Sequence, residues 1–446
     1  MSENYRGMTY LKNKLNSLKS SVKEKYLYYS SNDNTPTNSQ VIPASIRSAY
    51  ISKIDWCARA VDALADRLIF REFKHDDFNV TEIFDANNSD IFFDGAIQSA
   101  LIGSCCFVYI APNGADLPKL QIIEAARATG VIDPTTNLLE EGYAVLKADD
   151  YDNPIIEAYF TKEKTEFYYK GKRKPEIILN PTGHCLLVPI IHRPDAIRPF
   201  GRSRISKASM YWHSAAKRTL ERAEITADFY SFPQKYVLGL DDTAEPLEKW
   251  QATISTMLTF TESESGNKPS VGQFQTSSMT PFIDNLKMLA AGFAGSCGLT
   301  LDDMGFPSEQ PSSVEAIKAA HENLRAAARK AQRSFSSGFL NVAYVAACLR
   351  DEMKYERQAF GKLEIKWLPL FEADSSTLNI IGDGAIKLNQ AIPDYLTPDI
   401  VYDLTGIGGA KNNGEETNRL SALFNQGDIG GVSTGDKEQP ESAETS

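Results

Sequence analysis

The sequence predicts an α+β fold in which helices and strands segregate instead of alternating. Three observations carry this. Short runs rich in β-branched and aromatic residues between positions 105 and 179 are bracketed by stretches of helical period. An insert with β-forming ends, residues 232–278, interrupts two helical stretches. A loop with two Pro and one internal Gly, residues 298–313, then leads into a long Ala-rich helix. This order lacks the strand–helix alternation of a doubly wound enzyme.

The N-terminal block is helical. Residues 5–29 place Leu11, Leu15, Leu18 and Val22 on one stripe. An Asn/Ser/Thr-rich loop follows at 31–36, and residues 45–68 carry Ile51, Ile54, Ala58, Val61 and Leu64 at helical spacing. A third helix is expected over 91–103. The texture then becomes β. Runs at 105–110, 120–123, 142–147, 155–160, 166–169 and 176–179 are parted by Pro-Asn-Gly, Asp-Pro, Asp-Asn-Pro and Lys-Gly-Lys breakers, the pattern of one antiparallel meander.

Residues 203–231 hold no Pro or Gly and predict one helix of about seven or eight turns. Pro233 ends it. A short strand at 235–238, a helix at 246–260, a polar loop at 262–270 and a returning strand at 271–275 make up the insert. Pro281 suits the first turn of a helix running to about 296. After the loop, residues 314–353 predict one unbroken helix behind a Ser cap. A strand at 364–368 and short helices over 375–404 follow, and the Gly-, Glu-, Asn- and Ser-rich remainder from 405 reads as a disordered tail.

Composition narrows the function. The chain has 446 residues, 42% hydrophobic and 24% charged, enough for two or three domains with their own cores. A net charge of −11 argues against gripping nucleic acid over a broad surface, yet leaves room for a surface along which a nucleic acid slides. The polar N-terminus predicts no signal peptide, and no apolar run reaches membrane-span length. Cys57, Cys105, Cys106, Cys185, Cys297 and Cys348 form no CxxC pair and predict buried, reduced thiols.

No enzyme motif emerges, and no metal or cofactor is expected. A phosphate-cradling GxxxxGK[ST] loop is missing. The one G-x-S-x-G, from Gly431 to Gly435 around Ser433, lacks a strand-to-helix turn to strain a nucleophile. His184 and His192, eight apart with Cys185 adjacent, have poor zinc spacing and predict structural histidines. Asp302–Asp303 has no partner at a recognisable Mg²⁺-site spacing.

Four segments resemble the portal proteins of tailed bacteriophages. Residues 54–68 look like the family's helix ending in Ala65-Asp66-Arg67-Leu68, and residues 100–108 like its small-residue helix-to-strand turn. The strand around Val188-Pro189-Ile190, followed by Phe200-Gly201-Arg202-Ser203, is the strongest match. Pro233-Gln234-Lys235-Tyr236-Val237-Leu238-Gly239 resembles the strand after the stem helix. The resemblance spans residues 5–405 and rests on the order of the segments.

It implies a ring-forming portal fold with an α/β wing (1–200 and 314–374), stem helices at 201–231 and 280–297, and an α/β clip at 232–279. A tunnel loop at 298–313 and a short helical crown at 375–404 complete it, with 405–446 as tail. Twelve subunits would surround a channel for double-stranded DNA at one capsid vertex of the virion, after synthesis in the host cytoplasm. The terminase large subunit, head–tail adaptor, major capsid and scaffold proteins would be partners. The mechanism would be passive and non-enzymatic.

In that frame Leu301, Asp302, Asp303, Met304, Phe306 and Glu309 would line the tunnel loop. Lys217, Arg218, Arg222, Asp284 and Lys287 would mark the stem, and Asp241, Asp242, Glu245, Glu248, Lys249, Glu262 and Glu264 the docking face of the clip. The alternatives are a solvated, salt-bridged helix face and an ordinary helix connection. The basic set Lys318, Arg325, Arg329, Lys330 and Arg333 on the long helix would meet an acidic neighbour or DNA. At the level of function, the alternatives are a structural minor capsid or adaptor protein without a channel, and a nucleic-acid-processing enzyme. A ring would run near half a megadalton.

Overall fold

The computed structural model describes residues 6–33, 50–114, 116–231, 235–238, 270–273, 278–307, 314–370, 375–393 and 395–405. The chain divides into two units, Met1–Leu370 and Phe371–Ser446.

The first unit is built around two buried strands. β2 (Cys105–Asn113) and β9 (Leu187–Ile191) pair in a three-stranded antiparallel sheet of order β3-β2-β9, with β3 at Asp116–Glu124. Cys105–Ile110 and all of β9 are buried, so both faces of this sheet are covered. That is why these runs read as continuously apolar. Two helices cover one face. α4 (Ser89–Gly103) accepts a hydrogen bond from Cys106 Sγ at its Ala96 carbonyl, 3.2 Å away. α8 (Glu322–Arg350) brings Gly338 so close that a Cβ there would lie 3.0 Å from Ile190. The helices meet through Phe93 and Phe339, ring centroids 4.6 Å apart.

A second sheet covers the other face. β4 (Ala128–Ile132), β5 (Leu139–Ala148), β6 (Pro154–Thr161), β7 (Lys164–Tyr169) and β8 (Glu176–Leu179) pair antiparallel in sequence order. Tyr109 meets Phe160 at 5.2 Å, and a side chain at Gly142 would strike Leu187 at 2.9 Å. The single meander expected from sequence is therefore two sheets. The division falls at residues 125–127, where Ala125 and Ala126 are buried and Arg127 N donates to the Glu124 carbonyl. β4 and its pairing were not anticipated. Neither were β1 (Phe70–Lys74), which pairs with β12 (Glu364–Trp367), nor the short helix α3 (Val80–Asp85).

α1 (Met8–Tyr29) lies against the second sheet. Leu11 and Leu15 are buried with Tyr143, and Val22 joins the main core; Leu18 is exposed. Lys12 pairs with Glu157, and Lys19 and Lys23 both reach Asp152.

Three helices are shorter than their periodicity suggests. Of the helix expected over 45–68, residues 45–49 lie outside the described residues, and the described part is helical only in α2, Trp56–Ala65. Residues 50–55 are not helical, since Tyr50 and Ser52 hydrogen-bond Asp228 and Glu224 while the Ile54 carbonyl accepts from Ser31. The helix expected from 203 is α5, Lys207–Ser231. Ser203 instead bonds the Ile102 carbonyl, and Ser206 and Ser209 cap each other reciprocally at 2.7 and 3.1 Å. The helix expected over 314–353 is broken at His321 into α7 (Val314–Ala320) and α8. Arg325 N still donates to the His321 carbonyl at 3.0 Å, so the ladder bends more than it ends. α6 (Thr280–Cys297) keeps Pro281 in its first turn, as expected. All six cysteines are buried and free.

In the second unit, α9 (Ser375–Ala391) and α10 (Pro398–Thr405) form a helical pair. Asn389 joins them, donating to the Leu396 carbonyl at 3.0 Å and accepting from Leu396 N at 2.8 Å.

Candidate functional site

The candidate site is the pairing of α5 with α6, together with the loop that leaves α6. Ascending positions on α5 meet descending positions on α6. Trp212 packs against Gly292, where a Cβ would lie 2.9 Å from the indole, and Thr219 accepts a hydrogen bond from Asn285 at 3.1 Å. The helices are therefore antiparallel. At their far ends the chain enters β10 (Lys235–Leu238) and β11 (Ser270–Gln273), an antiparallel pair that closes the insert.

Arg204 roots the pair in the body. Its Nε donates to the Ala60 carbonyl on α2 at 3.0 Å, and its terminal nitrogen bonds the Cys297 carbonyl at the end of α6. One side chain thus joins three elements. Burial pushes the Cys297 thiol above its ordinary value, so it sits neutral beside this guanidinium. Arg204 lies just before α5 begins, inside the stretch 203–231 that the sequence predicts as helix.

The charges of α5 sort by face. Lys217 is withdrawn: it is 9% exposed, its Nζ donates to the Asp33 carbonyl at 2.7 Å and lies 3.0 Å from Asp33 Oδ2. His213, wholly buried, adds an imidazole nitrogen 3.4 Å from Asp33 Oδ1. Lys217, on the helix expected as a stem, is a buried tie to Asp33, four residues past the end of α1, and not a surface charge. Its partner is 184 residues away, so no spacing along the helix could reveal it. Tyr211 and Arg222 are exposed and Arg218 half-buried, on a different face. On α6, Ile283, Asp284, Lys287 and Met288 are exposed. Asp284 and Lys287 form no ion pair with each other among the described residues, leaving both heads to solvent.

The loop after α6 is structured where it is described. Gly298 ends the helix at φ +66°. Thr300 and Asp303 then cap one another: Asp303 Oδ2 accepts from Thr300 N at 2.9 Å, and Asp303 N donates to Thr300 Oγ1 at 3.2 Å. Asp303 also lies 3.8 Å from both Arg59 and His321. Met304 is buried and Phe306 half-buried against the core. Of the loop residues singled out, Leu301 and Asp302 are exposed, whereas Asp303 and Met304 anchor the turn. Glu309 and the clip residues Asp241, Asp242, Glu245, Glu248, Lys249, Glu262 and Glu264 lie outside the described residues.

On α8, Arg329, Lys330 and Arg333 are exposed and Arg325 pairs with Glu322 at 3.2 Å. The two histidines weighed as ligands are structural. His184 bonds the Tyr344 hydroxyl at 3.0 Å and His192 the Arg202 carbonyl at 2.7 Å. No cluster of His, Cys, Asp and Glu suited to a metal occurs among the described residues. None of the described helices is long and apolar enough to cross a membrane.

No family model matches the chain. Two curated relatives do, both named portal protein. One, from Mycobacterium phage L5, is 23% identical over 290 residues, which is 59% of this chain and 58% of the relative. The other, from Mycobacterium phage D29, is 22% identical over 327 residues, 67% of this chain and 65% of the relative. The chain thus spans less than two thirds of either relative's length. These homologues support the portal family for this chain. Among solved structures, the neck of a native gene transfer agent particle computed with C12 symmetry is similar at TM-score 0.42 and 13% identity, covering 87% of this chain and all of that one. The neck of the empty particle computed with C6 symmetry is similar at TM-score 0.45 and 12% identity, again over 87% of this chain and all of that one.

Proposed function

We propose that this chain is a portal subunit, and that twelve copies close a ring around a channel for double-stranded DNA at one vertex of a phage capsid. The observation that carries the reading is the antiparallel α5–α6 pair, rooted by Arg204 and tipped by the β10–β11 insert. Its outer faces show Tyr211, Arg222, Ile283, Lys287 and Met288 to solvent. Apolar and charged positions on one rod suit a ring, where one face meets the next copy and another faces the lumen. The curated portal homologues support the same role.

The channel acts passively. Each lumen charge is repeated by every copy, so a single Arg222 or Lys287 per subunit becomes a belt of positive charge. Such a belt meets phosphates without reading sequence, which suits a pore that passes a whole genome. Leu301 and Asp302, exposed on the loop, narrow it in this reading: an apolar side chain touches the duplex without ionic trapping, and a carboxylate repels phosphate. Energy for movement comes from the terminase motor docked on the clip. Head–tail adaptors take its place later, and capsid and scaffold proteins hold the wing.

Negative-stain electron microscopy with mass photometry tests the proposal. Annular particles with a central hole and a mass of roughly 590 kDa, twelve copies of 49.4 kDa, are expected. Small particles that persist at high concentration would overturn it. Replacing Leu301 and Asp302 by Ala is the sharper test of the loop, because deleting all of 298–313 would also remove buried Leu299 and Met304. Such a ring should assemble normally and package DNA poorly; normal packaging would remove these two residues from the channel.

A further inference from the structure

The two edges of the five-stranded sheet differ. The β4 edge is covered by α1, whose Lys14 donates to the Gly130 carbonyl at 2.7 Å. At the other edge, β8 pairs only with β7 among the described residues, and all four of its residues are exposed. Ile177 is 52% exposed and Leu179 78%. Protein edges are ordinarily blunted by a charge, a proline or a bulge within the strand. Here Pro175 and Glu176 stand at the entering end, and Ile177-Ile178-Leu179 run on without a charge, a proline or a bulge.

The hydrogen-bonding direction of this edge follows from its neighbour. Asn180 N donates to the Glu163 carbonyl across the β7–β8 register at 2.8 Å. Alternate residues of a strand address the same neighbour, so Ile178 turns its peptide groups to β7. Ile177 and Leu179 then turn their N–H and C=O groups outward. The edge offers two donors and two acceptors flanked by aliphatic side chains, the requirements for adding a strand.

Charge identifies what would be added. The turn entering β8 carries Lys170, Lys172, Arg173 and Lys174, all exposed, against Glu176. The turn beyond the other end of β8 carries exposed Lys162 beside exposed Glu163, which offset each other. An apolar centre thus adjoins a cationic turn at one end, on a chain whose net charge is −11. Nucleic acid would satisfy the cations but leave the aliphatic stripe and outward peptide groups unmatched.

We propose that β8 is a docking edge for an extended segment of a partner protein, with a short aliphatic centre and acidic residues on the flank that meets the 170–174 turn, held by strand addition.

The experiment uses the full chain and a fluorescent seven-residue probe, Asp-Glu-Val-Ile-Val-Glu-Asp, capped at both ends. Its control replaces the central Ile by Pro, which keeps the charge and abolishes pairing. Saturable anisotropy is expected for the probe alone. Leu179→Pro removes an outward N–H without touching the β7 ladder, and should weaken binding by about tenfold or more. Ile177→Lys blunts the edge by charge and should do the same, with circular dichroism confirming that each variant is folded. Reversing Lys172, Arg173 and Lys174 to Glu should weaken binding by about tenfold at low salt and flatten its salt dependence.

Four results would overturn the proposal. The probe and its proline control bind equally or not at all. Binding survives both edge variants. Duplex DNA is retained by the basic turn in place of the probe. Ile177→Lys lowers the oligomeric mass with no probe binding in the parent, which would make β8 a contact between copies of this chain.

Discussion

Lowering the pH from 7 to 5 should weaken the fold through one imidazole. His192 closes β9 and is 2% exposed. Its Nδ1–H donates to the Arg202 carbonyl at 2.7 Å, and its ring lies 6.0 Å from that of Phe335. Burial pushes its pKa down to about 4; the bond to Arg202 opposes this, and nearby Arg204, Arg193 and Lys330 add to it. In the unfolded chain the same group titrates near 6.5. Between those values the unfolded state binds the extra proton, so stability is complete above about 6.5 and falls as pH drops toward 4. For the step from pH 7 to 5 the linkage amounts to about 2 kcal/mol. The assay is urea unfolding at both pH values for the native chain and His192→Gln, whose amide can still donate to Arg202. The variant should lose about 2 kcal/mol less than the native chain over that step. Equal pH dependence of the two would refute the reasoning, because other titrating groups cancel in the comparison.

Three further outcomes are expected. Gly201→Ala should cost more than about 2 kcal/mol in thermal or urea unfolding, since Gly201 sits at φ +73° and a Cβ would lie 2.1 Å from the His192 carbonyl oxygen. Asp33→Ala should cost about 3–5 kcal/mol by leaving the Lys217 ammonium buried without its carboxylate, and adding Lys217→Met should recover roughly half or more of that loss in a double-mutant cycle. All six thiols should resist alkylation at pH 8 in the native chain and react on unfolding, as measured by intact mass. Burial closes access and also raises the thiols, with Cys105 and Cys185 pushed up to about 12.

Much of the architecture was legible because it rests on local pattern. The stripe of α1, the Pro at the start of α6 and the β10 strand follow from period and turn chemistry, which act within a few residues. The boundaries that moved did so for contacts from afar. Residues 50–55 lost helix to bonds with α5, and α5 itself starts late because Ser203 and Arg204 are bonded to α4, α2 and α6. One predicted meander became two sheets because the buried β9, almost eighty residues beyond β2, is β2's second partner.

The same division holds for the candidate site. The amino-acid sequence by itself determined the order of the larger elements, though not β1, α3 or β4, and also the helix pair bracketing an insert, the chemical types along the helices and the buried thiols, because each is set by composition or short-range periodicity. Only the tertiary structure decided which charges are available. Lys217 and Asp303 read as equivalents of Arg222 and Asp302, yet one is buried against Asp33 and the other locks a turn. A charge is surface or structure according to what packs over it, and here that is chain folded in from α1, α2 and α8.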